Sequence, residues 1–247
     1  MAVKDSAGIG CGAQLWKGIS FPGWILIVFL ALYNNLINLL PKEIHTRIYV
    51  PANLFVLFIL FIFARKVLNL NMKELGYDTK NISRSIFTGL SFTFIVISVF
   101  IILLLIIPRI GIIIKPPRIE FGTLSELIFR VLVRIPLGTA FFEENLFRGI
   151  SYGYLIKRFS LKKTIIITSI LFAIWHIVPG LKVLTSNFQM GFDVHGLLIW
   201  SGGVLGAFFA GIFFTFLRYH SRNITGCILC HALINDLSLF VIYYLWK

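Results

Sequence analysis

Acidic side chains are scarce in this sequence. Ten Asp and Glu stand against 23 Lys and Arg in 247 residues, and charged residues make up only 13% of the chain. At 58% hydrophobic, with a mean hydropathy of +0.90, the chain has too little polar surface to face water as a soluble globule. Cysteine is rare too, and three residues build no disulfide framework. No apolar core precedes Phe21, so the N-terminus does not read as a cleavable signal. Cys11 likewise lacks the apolar stretch that precedes a lipoprotein cysteine, and the first span is expected to act as an uncleaved start signal. HExxH is missing, which removes the usual zinc-protease helix. Neither a repeat nor inverted-half symmetry is visible, which argues against a transporter. The net charge of +13 lies in short loops between apolar runs, without a basic face of interleaved aromatics, so nucleic acid is not an expected partner.

What is present is long apolar runs. A bilayer crossing takes about 20 helical residues, and the pattern predicts an all-α, polytopic transmembrane bundle of about seven spans, within a range of six to eight. They fall near residues 21–40, 50–68, 84–107, 135–157, 163–179, 196–217 and 224–245. The chain divides into N-terminal spans with an interfacial segment, 1–122, and a core, 123–245. With the N-terminus inside, and with Arg130, Arg134 and Arg148 left out of the count, 13 Lys and Arg lie in inner segments and 7 in outer ones. The positive-inside bias therefore predicts a cytoplasmic N-terminus and an outer C-terminus. Short loops suit a prokaryotic plasma membrane, with membrane lipid as a partner. In the sixth span Gly203, Ala207 and Gly211 repeat every four residues, a stripe expected to serve helix packing. The five tryptophans read mostly as interfacial anchors near span ends. His45, His195 and His220 read as solvated residues in or beside loops.

One stretch breaks the apolar pattern. "FEENLFRGI" puts Glu143, Glu144 and Arg148 inside a span, where each charge costs about 2.5–3.5 kcal/mol on insertion scales. Glu144 and Arg148 stand at i, i+4 and pair along one helix face. Glu143 has no local partner. The other ionisable or amide groups within late spans are His176 in the fifth, and His231, Asn235 and Asp236 in the seventh. Depth, counted from the inner basic residues at about 1.5 Å per residue, puts Glu143 roughly 22 Å in and His176 roughly 20 Å in. His231 and Asn235 come out at roughly 14 and 20 Å. Three helices thus bring polar groups to one layer near mid-membrane, which is the mark of a functional site.

A glutamate shielded from bulk water serves as a general base on water, and a histidine shares that proton. A second histidine with an asparagine amide supplies donors to an oxyanion. This is a hydrolytic set for an amide bond without Ser or Cys, and no cofactor is needed. The alternative is Zn²⁺ held by Glu143, His176 and His231, since two His and a carboxylate form a known catalytic ligand set.

The residues resemble the CPBP family of intramembrane proteases, also called the Abi or CAAX-protease-like family, which includes type II CAAX prenyl endopeptidases. Its pattern of EExxxR, FxxxH and HxxxN appears in order as "EENLFR", "FAIWH" and "HALIN". The resemblance covers about 123–245. It implies that Glu143 activates water with His176, and that His231 and Asn235 form the oxyanion site. Glu144 and Arg148 would hold Glu143 in place, and Phe172 would line the pocket. It also implies a peptide or protein substrate, prenylated or amphipathic, or a role in bacteriocin processing or immunity. Two rival readings keep the same residues: a non-catalytic immunity or scaffold protein, and a proton pathway. "CILCH" also matches the c-type haem pattern and a redox CxxC pair, against the plainer reading of two small apolar thiols.

Overall fold

The computed structural model describes residues 16–106, 123–187 and 190–245. Cys11, Lys4, Arg109, Lys115, Arg118, Trp246 and Lys247 lie outside them, so their expected placements are not addressed. Among the described residues the chain is helical and carries no strand. Helix α1 is Phe21–Ile37, α2 is Lys42–Lys66 and α3 is Ile82–Ile106. A continuous helical rod over residues 124–156 is α4. Then come α5, Leu161–Trp175, α6, Ile177–Lys182, α7, Val194–Ser221, and α8, Thr225–Leu245.

Among the described residues three helices are long and apolar enough to cross a membrane, Lys42–Lys66, Thr79–Leu103 and Val194–Ser221. Leu161–Trp175 and Ile177–Ser186, bent by 41° at His176, make a fourth if counted as one span. The helices near the other three expected spans are either shorter or interrupted. Helix α1 has 17 residues, about 25 Å of rise. Helix α4 is long but carries Glu143, Glu144 and Arg148 at mid-length.

Helix α4 departs from simple α winding. Arg130–Phe141 and Asn145–Ser151 are π-wound, separated by the α turn Phe142–Glu144. Pro136, within the first stretch, has no N–H to close an α-type bond. Asn145 Nδ2 donates to Phe141 O at 2.8 Å, the carbonyl that an α ladder would give to Asn145's own N–H. Neighbours take up the strained ladder. Asn53 on α2 donates to Gly138 O at 2.8 Å, and Tyr33 on α1 donates to Asn53 Oδ1 at 2.8 Å. Tyr77, from the segment between α2 and α3, donates to Asn145 Oδ1. Leu68, Leu70 and Leu75 of that segment are buried, so only part of the expected interfacial stretch meets its surroundings.

The apolar core joins α1, α2, α4 and α5 around Leu30, Leu57, Phe142, Phe147, Leu171 and Trp175. Lipid supplies no hydrophobic drive for helices to pair, so close approach carries the packing. A Cβ on Gly211 of α7 would come 2.7 Å from the backbone of Ser169 on α5. A Cβ on Gly89 of α3 would come 2.5 Å from Gly226 O on α8. The stripe expected on α7 is therefore split in use. Gly211 packs, Ala207 lines a cavity, and a Cβ on Gly203 would meet open space.

Candidate active site

The π-wound middle of α4 delivers two adjacent carboxylates to opposite environments. Glu143, 3% exposed, lines a cavity of about 510 Å³. The walls come from α3, α4, α5, α7 and α8 and are mostly apolar, with Phe172, Phe209, Phe213 and Phe214 prominent. Thr139, His176, His231 and Asn235 add the polar groups. All four expected catalytic residues and Phe172 thus reach one cavity, while Glu144 and Arg148 stand behind its wall.

Glu143 Oε1 accepts a hydrogen bond from Trp175 Nε1 at 3.0 Å. Its Oε2 is buried without a hydrogen-bond partner and lies 4.0 Å from His176 Nε2. His176 Nδ1 lies 2.7 Å from Phe172 O, which only accepts, so Nδ1 carries the proton of the neutral ring. Nε2 then presents a lone pair to Glu143. Two acceptors 4.0 Å apart are too far for a direct bond and well spaced to share one water.

Glu144 is fully buried. Its Oε1 receives Arg148 Nη1 at 3.2 Å and faces His231 Nδ1 at 2.7 Å. The Arg148 guanidinium also lies 4.4 Å from the Phe172 ring centre and 5.1 Å from that of Phe214, and Nη2 donates to Gly211 O at 3.4 Å. Phe214 stacks on His231 with centroids 5.0 Å apart. The sequence expectation had Glu144 and Arg148 steadying Glu143. In the structure Glu144 reaches His231 and Arg148 reaches Gly211 O, both across helix interfaces. With Nδ1 turned to Glu144, the remaining His231 nitrogen, Nε2, is left for the cavity, four residues from Asn235 on α8.

Trp175 escaped the sequence reading. It is not an interfacial anchor: it is 0% exposed and bonds Glu143. Its position next to His176 was the available signal. His45 is not solvated either. Helix α2 starts at Lys42 rather than near residue 50, and His45 is 8% exposed, with Nδ1 3.5 Å from Arg134 Nη2. His195 and His220 are exposed at the two ends of α7, beside its flanking loops, as expected. Cys227 and Cys230 are free and buried, packed in the α7–α8 core beside Phe214 and Leu217. Among the described residues no three His, Cys, Asp or Glu side chains are grouped to hold a metal ion.

Fold and site together define an all-helical protein with membrane-span candidates and a carboxylate–imidazole pair at an apolar cavity. Residues 125–237 match the family model described as Type II CAAX prenyl endopeptidase Rce1-like, in agreement with the CPBP, or CAAX-protease-like, resemblance read from the sequence. That family points to a CAAX-protease-type endopeptidase in a membrane. No curated protein and no solved structure matches the chain.

Proposed function

We propose that this protein is an intramembrane endopeptidase in which Glu143 activates water for attack on a peptide bond. The observation that carries the reading is the buried, unpartnered Glu143 Oε2, 4.0 Å from His176 Nε2 at the wall of an apolar cavity. A water between them donates one hydrogen to each. As its oxygen attacks the scissile carbonyl carbon, Glu143 takes a proton and His176 fixes the direction of attack. The carbonyl oxygen becomes an oxyanion held by the Asn235 amide and by His231 Nε2–H. In this role His231 carries a proton on each ring nitrogen, giving Nδ1–H to Glu144 and Nε2–H to the oxyanion. When the tetrahedral carbon collapses, the C–N bond breaks and Glu143 hands its proton to the leaving amine. Glu143 returns to a carboxylate and no metal enters the step.

We read the substrate as a membrane-associated peptide, with a prenylated CAAX tail as the first choice, a reading supported by the family description and the apolar wall. The reading also takes the seven helical rods (α5 and α6 counted as one) as seven crossings. It places the N-terminus in the cytoplasm of a prokaryotic cell, with the protein in the plasma membrane. The test is cleavage of an internally quenched farnesylated CAAX peptide by purified protein in liposomes, wild type against Glu143→Gln, with a chelator arm. Loss of cleavage in the variant and indifference to chelator support the reading. Equal cleavage by wild type and Glu143→Gln overturns it, and loss on chelation replaces the metal-free step.

A further inference from the structure

The span that carries His176 is broken in the middle, and the break is repaired from another helix. In a straight α-helix Val178 N–H would donate to Ile174 O, and residue 179 to Trp175 O. Residue 179 is proline and has no N–H to give. Asn35 on α1 stands in the first gap: its Nδ2 donates to Ile174 O at 2.9 Å, and its Oδ1 accepts from Val178 N at 2.9 Å. Asn34 fills the second, with Nδ2 donating to Trp175 O at 2.9 Å. Asn38, one turn on, donates to Asn34 Oδ1 at 3.0 Å and sets which way that amide points. A side chain inserted into the backbone ladder is a recognised cause of a sharp kink. Here two adjacent amides satisfy the groups that a 41° bend at His176 releases.

The residues at the bend are those that touch Glu143. Trp175 gives its indole N–H to Oε1, and His176 faces Oε2. Helix α1 lies outside the matched residues 125–237. We propose that Asn34 and Asn35 are positioning residues: they hold the α5–α6 break open at the angle that turns Trp175 and His176 onto Glu143. The inference rests on the reading of Glu143 and His176 as the water-activating pair.

The test separates position from stability. Asn34→Leu leaves Trp175 O without a donor, and adding Pro179→Ala returns an N–H that lets the helix run straight. Three variants, Asn34→Leu, Asn34→Leu/Pro179→Ala and the milder Asn35→Asp, are compared with wild type in liposomes by three readouts. These are Tm, the ¹H–¹⁵N resonance of the Trp175 indole (assigned with Trp175→Phe), and kcat and KM on the farnesylated CAAX peptide. The expected result is a Tm that falls in Asn34→Leu and recovers in the double variant, while the indole resonance stays displaced in both. In both, kcat falls about 10- to 100-fold, and KM stays within about twofold. Asn35→Asp moves resonance and kcat the same way with less effect. Recovery of kcat and resonance along with Tm in the double variant overturns the proposal and leaves a purely structural role. So do a resonance and kcat that never move. If wild type fails to cleave the peptide while the resonance still shifts, the positioning stands and the proposed activity is what fails.

Discussion

Glu143 and Glu144 are neighbours in the chain, equally buried, and differently surrounded. Glu144 is packed behind the cavity wall, with Arg148 and His231 on one oxygen and aromatic rings around its cation. Glu143 has one indole N–H on Oε1 and nothing bonded to Oε2, which points toward an imidazole across 4.0 Å. Each leaves its Oε2 buried without a hydrogen bond, so the two differ in what surrounds them and not in bond count. Glu144 is paired with a cation behind the wall. Glu143 has no cation on it and lines the cavity, the placement that the proposed base requires.

The largest way to break this comparison is to remove each charge separately. Glu143→Gln keeps an oxygen for Trp175 and removes the base. Cleavage is expected to fall about 10²- to 10⁴-fold, the usual share of general base catalysis, with Tm almost unchanged. Glu144→Gln should do the reverse first. It leaves Arg148 buried without its carboxylate, a loss of about 3–5 kcal/mol by analogy with broken buried pairs, read as a lower melting temperature in detergent. Glu144→Leu/Arg148→Leu removes both charges and should regain much of that stability without regaining cleavage, because His231 has then lost its Nδ1 partner. A Glu144→Gln protein as stable as wild type would mean that the two glutamates are not so divided.

The division was half legible beforehand. Charges within an apolar run are costly enough to stand out, and a constant rise per residue places them at a common depth. So Glu143, His176, His231 and Asn235 could be grouped from spacing alone, and all four line one cavity. Azimuth was not legible. Winding α4 in π turns over Arg130–Phe141 and Asn145–Ser151 changes the angle per residue, so counting at 100° could not show that Glu144 reaches His231 on α8. Trp175 was misread for a similar reason. A tryptophan near a span end usually sits at the interface, and only the break at His176 turns this one inward. Asn34 and Asn38 were seen to share a face, but their use depends on a proline 145 positions after Asn34, on a helix that sequence spacing cannot orient. His45 was misplaced because α2 begins eight residues earlier than its apolar run.

Smaller changes sharpen the same contrast. Trp175→Phe keeps the ring bulk and removes the single donor to Glu143 Oε1. A buried oxygen left without its partner costs about 1–3 kcal/mol. Cleavage should drop more than in a Phe172→Leu protein, whose ring packs on His176 but gives no hydrogen bond to Glu143. Steady-state rates on the farnesylated peptide, with folded fraction matched, decide between them.

The smallest effect lies outside the bundle and shows what burial adds. Glu74 pairs with Lys157 at 2.9 Å, with side chains 27% and 41% exposed, in the segment between α2 and α3. It is the same glutamate–cation chemistry as Glu144 with Arg148, moved toward water. Partial burial acts to raise the Glu74 pKa, but the hydrogen bonds from Lys157 and from the Asn71 backbone, with the Lys157 charge, outweigh it and leave the value below the ordinary one. A depressed folded pKa contributes stability that is present above the unfolded glutamate value and is lost as pH falls through the folded one. Glu74→Gln should therefore lower the melting temperature slightly at neutral pH, by less than about 1 kcal/mol of stability, and less still at high salt. The difference from wild type should vanish in acid. A Glu74→Gln loss as large as that of Glu144→Gln, or one that grows as pH falls, would show that burial is not what separates the two ion pairs.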